Sequence, residues 1–369
     1  MTNMWRAIKV LCLISGLACS MPALSQTQVG VNLTNGDRLS KSIQLAALSE
    51  LQEAGAKVIR IPLEPRTWGP PGIYADSIAL IEAAYAMGIK SIIIVPLQYP
   101  STAQRRPYNT AYPDIWAVYP LSQSDPDIFT SWFAPILAQL EANGVILAGL
   151  ELGNEINWAP FNGDFQVPGE GKVFNDTDLH TNAEAAGIAS GYRAYMRSLE
   201  ALRQIRGAST LNQTTPVISS GLSNPGAPRS SGASLDGVAV DAVSINATLN
   251  YLRSYGLDTT ADTYGIHFYP NPNVTKAQRY ADLTDNALTQ CGIYGLSCTV
   301  TEWGFRFRTG TTCPRNDEQR YKLAYEILAD VADWGPAVRS MIWFDWLSPQ
   351  YGLYQCGAET ATGRLVLGQ

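Results

Sequence analysis

Two glutamates close apolar runs that lie far apart in the chain. Glu155 stands in Leu150-Glu-Leu-Gly-Asn-Glu-Ile-Asn-Trp158, and Glu302 in Val300-Thr-Glu-Trp-Gly304. Each run has the composition of a buried β-strand. A carboxylate at the end of such a strand is costly to bury unless it is paired or used. Two carboxyl groups meeting across one pocket are the minimal equipment for cutting a glycosidic bond: one protonates the leaving oxygen, and the other attacks the anomeric carbon or activates water. The bland alternative is a pair of structural carboxylates held by Arg60 or by backbone amides. Other polar and aromatic side chains fall at the ends of apolar runs: Arg60, Gln98, Asn154, Asn157, Trp158, His267, Tyr269, Trp303, Trp343, Asp345 and Trp346. His267 and Tyr269 share one side of a strand by its two-residue period. Glu151 lies lower on the strand of Glu155 and reads as a structural ion pair or hydrogen bond. His180 follows a polar loop and reads as a surface residue.

To bring these groups together the chain needs strands whose C-terminal ends converge. The strand candidates are 29–33, 57–62, 90–96, 146–154, 216–221, 263–269, 298–302 and 339–346. Helix candidates lie between them at 41–54, 75–86, 127–142, 181–206, 239–255, 276–291 and 317–334. Leu323, Ala324, Ile327, Leu328 and Val331 recur with the helical period. Runs such as Ser91-Ile-Ile-Ile-Val-Pro96 are almost continuously apolar, as in a parallel sheet covered on both faces. Eight strand–helix steps predict an α/β fold, a (β/α)8 TIM barrel in one domain spanning residues 26–369. Its eighth helix is short or absent, because residues 351–369 show no clear helical face. An open doubly wound sheet would carry a Gly-rich phosphate loop after an early strand, and Thr34-Asn-Gly36 is not one. The barrel places Arg60, Glu155, His267 and Glu302 at one face.

Residues 1–25 read as a cleavable signal peptide. Arg6 and Lys9 precede the short apolar core Val10–Ala18, and Ala23-Leu-Ser25 is a small-x-small cleavage site before Gln26. The core is well short of the roughly 20 apolar residues of a membrane span. Cleavage removes two bases and no acid from a chain of net charge −6. An acidic protein gains nothing electrostatically from nucleic acid or an anionic membrane. The expected location is therefore secreted or periplasmic, as a monomer without membrane attachment once the leader is gone. Export permits disulfides among Cys291, Cys298, Cys313 and Cys356. In the barrel, Cys291 and Cys298 fall on the bottom face, and Cys313 and Cys356 on the top. Bridging needs Cα atoms within about 7 Å, so the predicted pairs are Cys291–Cys298 and Cys313–Cys356. Cysteine spacing and a mere two histidines speak against a metal site.

Tryptophans add a further clue. Trp68, Trp116, Trp158, Trp303, Trp343 and Trp346 fall at strand ends or in the loops above them. Indole rings stack on the apolar faces of sugars while the hydroxyls find polar partners. With the motifs Gly153-Asn154-Glu155, Thr301-Glu302-Trp303-Gly304, His267-Phe-Tyr269 and Trp343-Phe-Asp-Trp346, the whole mature chain resembles the glycoside hydrolases of clan A. These are retaining (β/α)8 enzymes with glutamates after strands four and seven. The motifs are closest to family 39 and its relatives, and the Gly-Asn-Glu-Ile core is also similar to family 53. Ile156 stands where families 5 and 39 often carry proline.

The resemblance implies a β-linked poly- or oligosaccharide as substrate, cleaved by double displacement without metal or organic cofactor. It implies Glu155 as acid/base, Glu302 as nucleophile and Asn154 as the partner of the sugar 2-hydroxyl. Tyr269 would hold Glu302, Arg60 would keep it ionised, and His267 would line the pocket near the acid/base. Trp158 and Trp303 would contact sugar, and Trp346, or else Trp343, would floor the subsite. A carboxyl separation of about 5–5.5 Å is expected, and one of about 8 Å or more would exclude double displacement. Long loops at 101–125 and 159–180 wall a cleft. A transglycosylase uses the same residues, and a non-catalytic carbohydrate-binding barrel shares the scaffold.

Overall fold

The computed structural model describes residues 27–34, 36, 39–63, 75–107, 117–225, 234–235, 238–307, 313 and 316–369. Residues 1–25, expected as a signal peptide, and Trp68 and Trp116 lie outside the described residues. The eight expected strands are present: β1 (Gln28–Asn32), β2 (Val58–Pro62), β3 (Lys90–Val95), β4 (Gly149–Leu152), β5 (Val217–Ile218), β6 (Thr263–Phe268), β7 (Ser297–Trp303) and β8 (Val338–Trp343). Each pairs in parallel with the next, and β8 pairs with β1 to close the barrel. This is a (β/α)8 barrel. β5 is shorter than the run 216–221 because Ser219 and Gly221 leave the ladder to bond across it: Ser219 Oγ accepts from Gly265 N at 3.0 Å, and Gly221 N donates to Glu151 at 2.9 Å.

The outer helices are α1 (Lys41–Glu53), α2 (Ala75–Ala86), α3 (Pro126–Ala142), α4 (Ala186–Gly207), α5 (Ile245–Arg253), α6 (Lys276–Ala281), α7 (Glu318–Ala332) and α8 (Ala361–Val366). The eighth is indeed short. Local chemistry sets several starts. Asp125 accepts from the amides of Asp127 and Ile128 ahead of Pro126, and Thr275 forms a capping box with Gln278. The helix expected over 239–255 begins only at Ile245, where Ser244 caps it. The residues before it are extended, since Ala242–Val243 pairs with Val173–Phe174. The run 276–291 is α-helical only to Ala281 and continues as a π-helical turn to Ala287. Ahead of α4, residues 176–181 form a separate short helix, and His180 sits exposed in its last turn. No described helix is long and apolar enough to cross a membrane.

Inside the barrel, Val58, Ile92, Ile218 and Ile342 form an apolar plug. Inward-facing Gly30 and Gly149 make it possible, because a Cβ at either would collide with Ile342 or Ile218. Both expected disulfides are present. Cys291–Cys298 spans 5.3 Å between Cα atoms and ties the foot of β7 to the preceding turn. Cys313–Cys356 spans 5.7 Å and joins the segment after β7 to the one after β8.

Candidate active site

Beside the plug, Thr263, Thr299 and Ser340 form a hydroxyl cluster, with Thr263 Oγ1 at 3.2 Å and Ser340 Oγ at 3.5 Å from Thr299 Oγ1. One inward position above Val58 on β2 lies the buried guanidinium of Arg60. Its Nε and Nη2 donate to the two oxygens of Glu151 at 2.6 and 3.1 Å. Nη1 donates to Asn32 Oδ1 at 2.9 Å and to Glu302 Oε1 at 2.7 Å, and Nη2 also donates to Asn154 Oδ1 at 2.9 Å. Burial disfavours the cation, but Glu151 and Glu302 outweigh it and raise the Arg60 pKa above its ordinary value. Glu151 is fully satisfied: one oxygen also accepts from Gly221 N at 2.9 Å and Thr301 Oγ1 at 3.0 Å. It is the buried structural carboxylate expected from its position.

Glu302 reaches the pocket through an irregularity in β7. Val300 lies opposite Ile266, yet Glu302 rather than Thr301 lies opposite His267. Thr301 faces inward with Thr299 by alternation, and the extra residue turns Glu302 onto the C-terminal face as well, as bulges do beside active sites. Glu302 Oε2 accepts from the Tyr269 hydroxyl at 2.5 Å and lies 3.5 Å from His267 Nδ1. Burial pushes the Glu302 pKa up, but His267, Arg60 and the Tyr269 hydroxyl more than reverse this and hold it below the ordinary carboxylate value. The Tyr269 ring is 36% exposed at the rim while its hydroxyl is enclosed. Enclosure and the charge of Glu302 hold that phenol well above its usual pKa, so it is a permanent donor here. Removing it in Tyr269→Phe should raise the Glu302 pKa. The acidic limb of kcat/KM then moves to higher pH, and kcat falls on the order of 10- to 100-fold. An unmoved acidic limb in the pH profile would remove Tyr269 from this role.

Glu155 is aimed by two departures from strand geometry, one on either side of Asn154. Gly153 has φ +71°, which glycine adopts freely, and Glu155 itself sits at φ +43°. A non-glycine residue there costs about 1–3 kcal/mol and needs anchoring. The Glu155 amide supplies it by donating to Gly221 O at 2.9 Å. The side chain is buried, with Oε1 2.9 Å from His267 Nδ1. One oxygen each of Glu155 and Glu302 and one His267 nitrogen all lie within 4.8 Å of one another. Burial lowers the affinity of His267 for a proton, but the two glutamates outweigh it and its pKa rises. The imidazole occupies space left by Gly221, where a Cβ would overlap Nε2 and Thr301 Oγ1. Gly221→Ala should therefore cost about 1–3 kcal/mol in stability by overpacking and reduce turnover on the order of tenfold. Denaturant unfolding and steady-state kinetics measure the two effects, and wild-type behaviour in both would show that the site relaxes freely.

The fold thus gathers Arg60, Asn154, Glu155, His267, Tyr269 and Glu302. It also adds Asn32, Thr301 and Gly221, which carried no signal of their own: a short polar residue or glycine inside a strand is commonplace. The tryptophans behave differently from expectation. Trp303, Trp343 and Trp346 are each 0% exposed. Trp303 packs edge-on against Trp343, with ring centroids 4.8 Å apart. Trp343 Nε1 donates to Tyr351 O, and Trp346 Nε1 points at Glu50 of α1. On β8 the inward positions are Ser340 and Ile342, so Trp343 faces the helices and the next inward residue is Phe344. Phe344 is half-buried and meets Tyr269 at 5.9 Å and Tyr351 at 5.5 Å. The aromatic wall of the pocket is therefore Phe344, Tyr351 and Tyr269, in place of Trp303 and Trp346. Trp158 is half-buried, with its amide on Glu155 O at 3.0 Å.

The described parts of the loops after β3 and β4 are bonded to each other. Arg106 donates to the carbonyls of Ala159, Asn162 and Phe165, and Ser122 donates to Asp164. These residues line one side of the pocket next to the Glu155 segment.

No protein-family model matches the chain, and no curated protein matches it in sequence. Solved structures match it in fold. A β-glucanase from Saccharophagus degradans aligns with TM-score 0.53 at 16% identity, covering 92% of this chain and 87% of that one; the same glucanase has been solved in complex with cellotetraose. A hyperthermostable endo-1,4-β-D-mannanase from Thermotoga petrophila RKU-1 aligns with TM-score 0.51 at 14% identity over 93% and 98% of the two chains. A fungal β-1,4-galactanase aligns with TM-score 0.52 at 13% identity over 92% and 94%. At these identities the likeness is one of barrel architecture.

Proposed function

We propose that this chain is a retaining glycoside hydrolase acting on a β-linked poly- or oligosaccharide by double displacement. The observation that carries the proposal is the placement of Glu155 and Glu302 on one barrel face, with oxygens inside 4.8 Å and in unequal surroundings. Retention needs carboxyl groups about 5–5.5 Å apart, whereas inversion needs about 6.5–9.5 Å to admit a water. Glu302, charged and gripped by Arg60, is the nucleophile. It attacks the anomeric carbon while Glu155 protonates the leaving oxygen. Water deprotonated by Glu155 then releases the glycosyl group. Arg60 takes Asn154 Oδ1, so the amide NH2 of Asn154 is left to donate to the sugar 2-hydroxyl. Phe344 and Tyr351 offer ring faces and edges to the sugar, and Trp158 contacts it beside Glu155.

The structural likenesses are spread over glucanases, mannanases and galactanases and do not single out family 39. We further propose that residues 1–25 direct export and that residues 26–369 are the catalytic domain. The two disulfides suit an oxidising compartment.

Incubating the purified protein with β-glucans, mannans, galactans and bacterial exopolysaccharides, and following the first product by NMR, tests the reading. The β-anomer should appear first. Initial release of the α-anomer would exclude double displacement. Products lengthened in the presence of an acceptor sugar would favour a transglycosylase.

A further inference from the structure

Arg306 is exposed in the segment that follows β7, the strand carrying Glu302. Its Nε donates to the Tyr351 hydroxyl at 2.8 Å, and its Cζ lies 5.4 Å from the Tyr351 ring centroid. Tyr351 in turn meets Tyr269 edge-on at 5.5 Å, and Tyr269 holds Glu302. Two ring contacts therefore separate the guanidinium from the group bonded to the nucleophile. Tyr351 cannot drift, because its carbonyl accepts from Trp343 Nε1 and Arg320 Nη1, both at 2.9 Å. The terminal nitrogens of Arg306 have no acceptor among the described residues. By contrast Arg253, Arg279 and Arg320 each sit on a carboxylate: Asp258, Glu326 and Asp317.

A second guanidinium on the same barrel face is in the same state. Arg105, in the loop after β3, lies 4.6 Å over the Tyr119 ring and has no carboxylate partner among the described residues. Tyr119 stacks on Tyr99 at 4.6 Å, and its carbonyl accepts from Gly163 in the loop that follows Glu155. A chain of net charge −6 repels an anionic polymer at long range. Arginines at the cleft rim without a carboxylate partner among the described residues supply local attraction instead, and an Nη1/Nη2 fork fits a carboxylate in two parallel bonds.

We infer that Arg306 recognises a carboxylate on the substrate, which makes the substrate class an acidic, uronate-bearing β-glycan. This rests on the glycan cleft proposed above. Binding to the Glu155→Gln variant separates recognition from turnover. The probes are a β-linked oligosaccharide of alternating glucose and glucuronate and its carboxyl-reduced, neutral counterpart, compared by calorimetry. The acidic probe should bind on the order of 10- to 100-fold tighter. Adding Arg306→Gln should abolish that difference while leaving affinity for the neutral probe unchanged, and Arg306→Lys should restore part of it. Equal affinity for the two probes, or binding of neither, overturns the inference. A loss of equal size on both probes also overturns it, since Arg306 would then only position Tyr351. Carboxyl-dependent binding in a protein that hydrolyses no glycan would leave this inference standing and remove the hydrolase reading. Hydrolysis of neutral glycans without charge preference would do the reverse.

Discussion

Replacing Glu302 with glycine should lower turnover on the order of 10⁴- to 10⁶-fold while leaving the protein folded. Of the two glutamates Glu302 alone is gripped by Arg60 and Tyr269 together, and under the proposed mechanism no other carboxylate among the described residues is placed to replace it. Glu151 is too deep and already saturated by Arg60, Gly221 and Thr301. Azide discriminates the roles. In Glu302→Gly it should occupy the vacated space and attack directly, giving the α-glycosyl azide from a β-substrate with an activated leaving group. In Glu155→Ala the covalent intermediate still forms with such a substrate, so azide should yield the β-glycosyl azide instead. NMR of the products checks both. The same anomer from the two variants would reverse or abolish the assignment, and undiminished activity of Glu302→Gly would end it.

Arg60→Met should be the most damaging change to the scaffold. The guanidinium satisfies two carboxylates and two amides at once. Methionine of similar length leaves Glu151 buried without its counter-ion. Removing one partner of a buried pair costs about 3–5 kcal/mol, because the stranded charge remains. Activity should fall on the order of 10³-fold or more in the folded fraction, since Glu302 loses the charge that keeps it ionised and Asn154 loses its orientation. Denaturant unfolding gives the first quantity. Arg60→Lys separates charge from geometry: an ammonium keeps the sign but cannot span Glu151, Glu302, Asn32 and Asn154 together. Wild-type stability in Arg60→Met would show that the ion pair with Glu151 adds nothing to the fold. A fully active Arg60→Lys would show that charge alone suffices.

Much of this was legible in the chain because strands of a parallel barrel are buried on both faces. The run Ser91–Val95 is apolar throughout, and so the eight strands and the polar residues at their ends stand out. His267 and Tyr269 share a face by simple alternation, and both meet Glu302. The two disulfides followed from which end of the barrel each cysteine occupies. Alternation failed where the backbone is irregular or where the orientation of a strand could not be read. Trp303 follows Glu302 directly and Trp343 ends β8, yet the two rings face the helix layer and pack on each other. Phe344, the plain residue between two tryptophans, faces the pocket. Residues 239–244 read as the start of the helix expected over 239–255, but Ala242–Val243 pair as extended chain with residues 173–174.

By itself, then, the sequence determined the barrel, the order of its strands and the identities of the two glutamates with their Arg60, Asn154, His267 and Tyr269 neighbours. Those follow from composition and a period of two, which are local properties. Only the tertiary structure decided the aim of each group. The extra residue in β7 turns Glu302 inward beside Thr301, and the left-handed backbone of Gly153 and Glu155 turns the second carboxyl toward it. Gly221 clears the space for His267. A one-residue irregularity reverses which face a side chain takes. It is set by bonds to strands far away in sequence, so no local pattern records it.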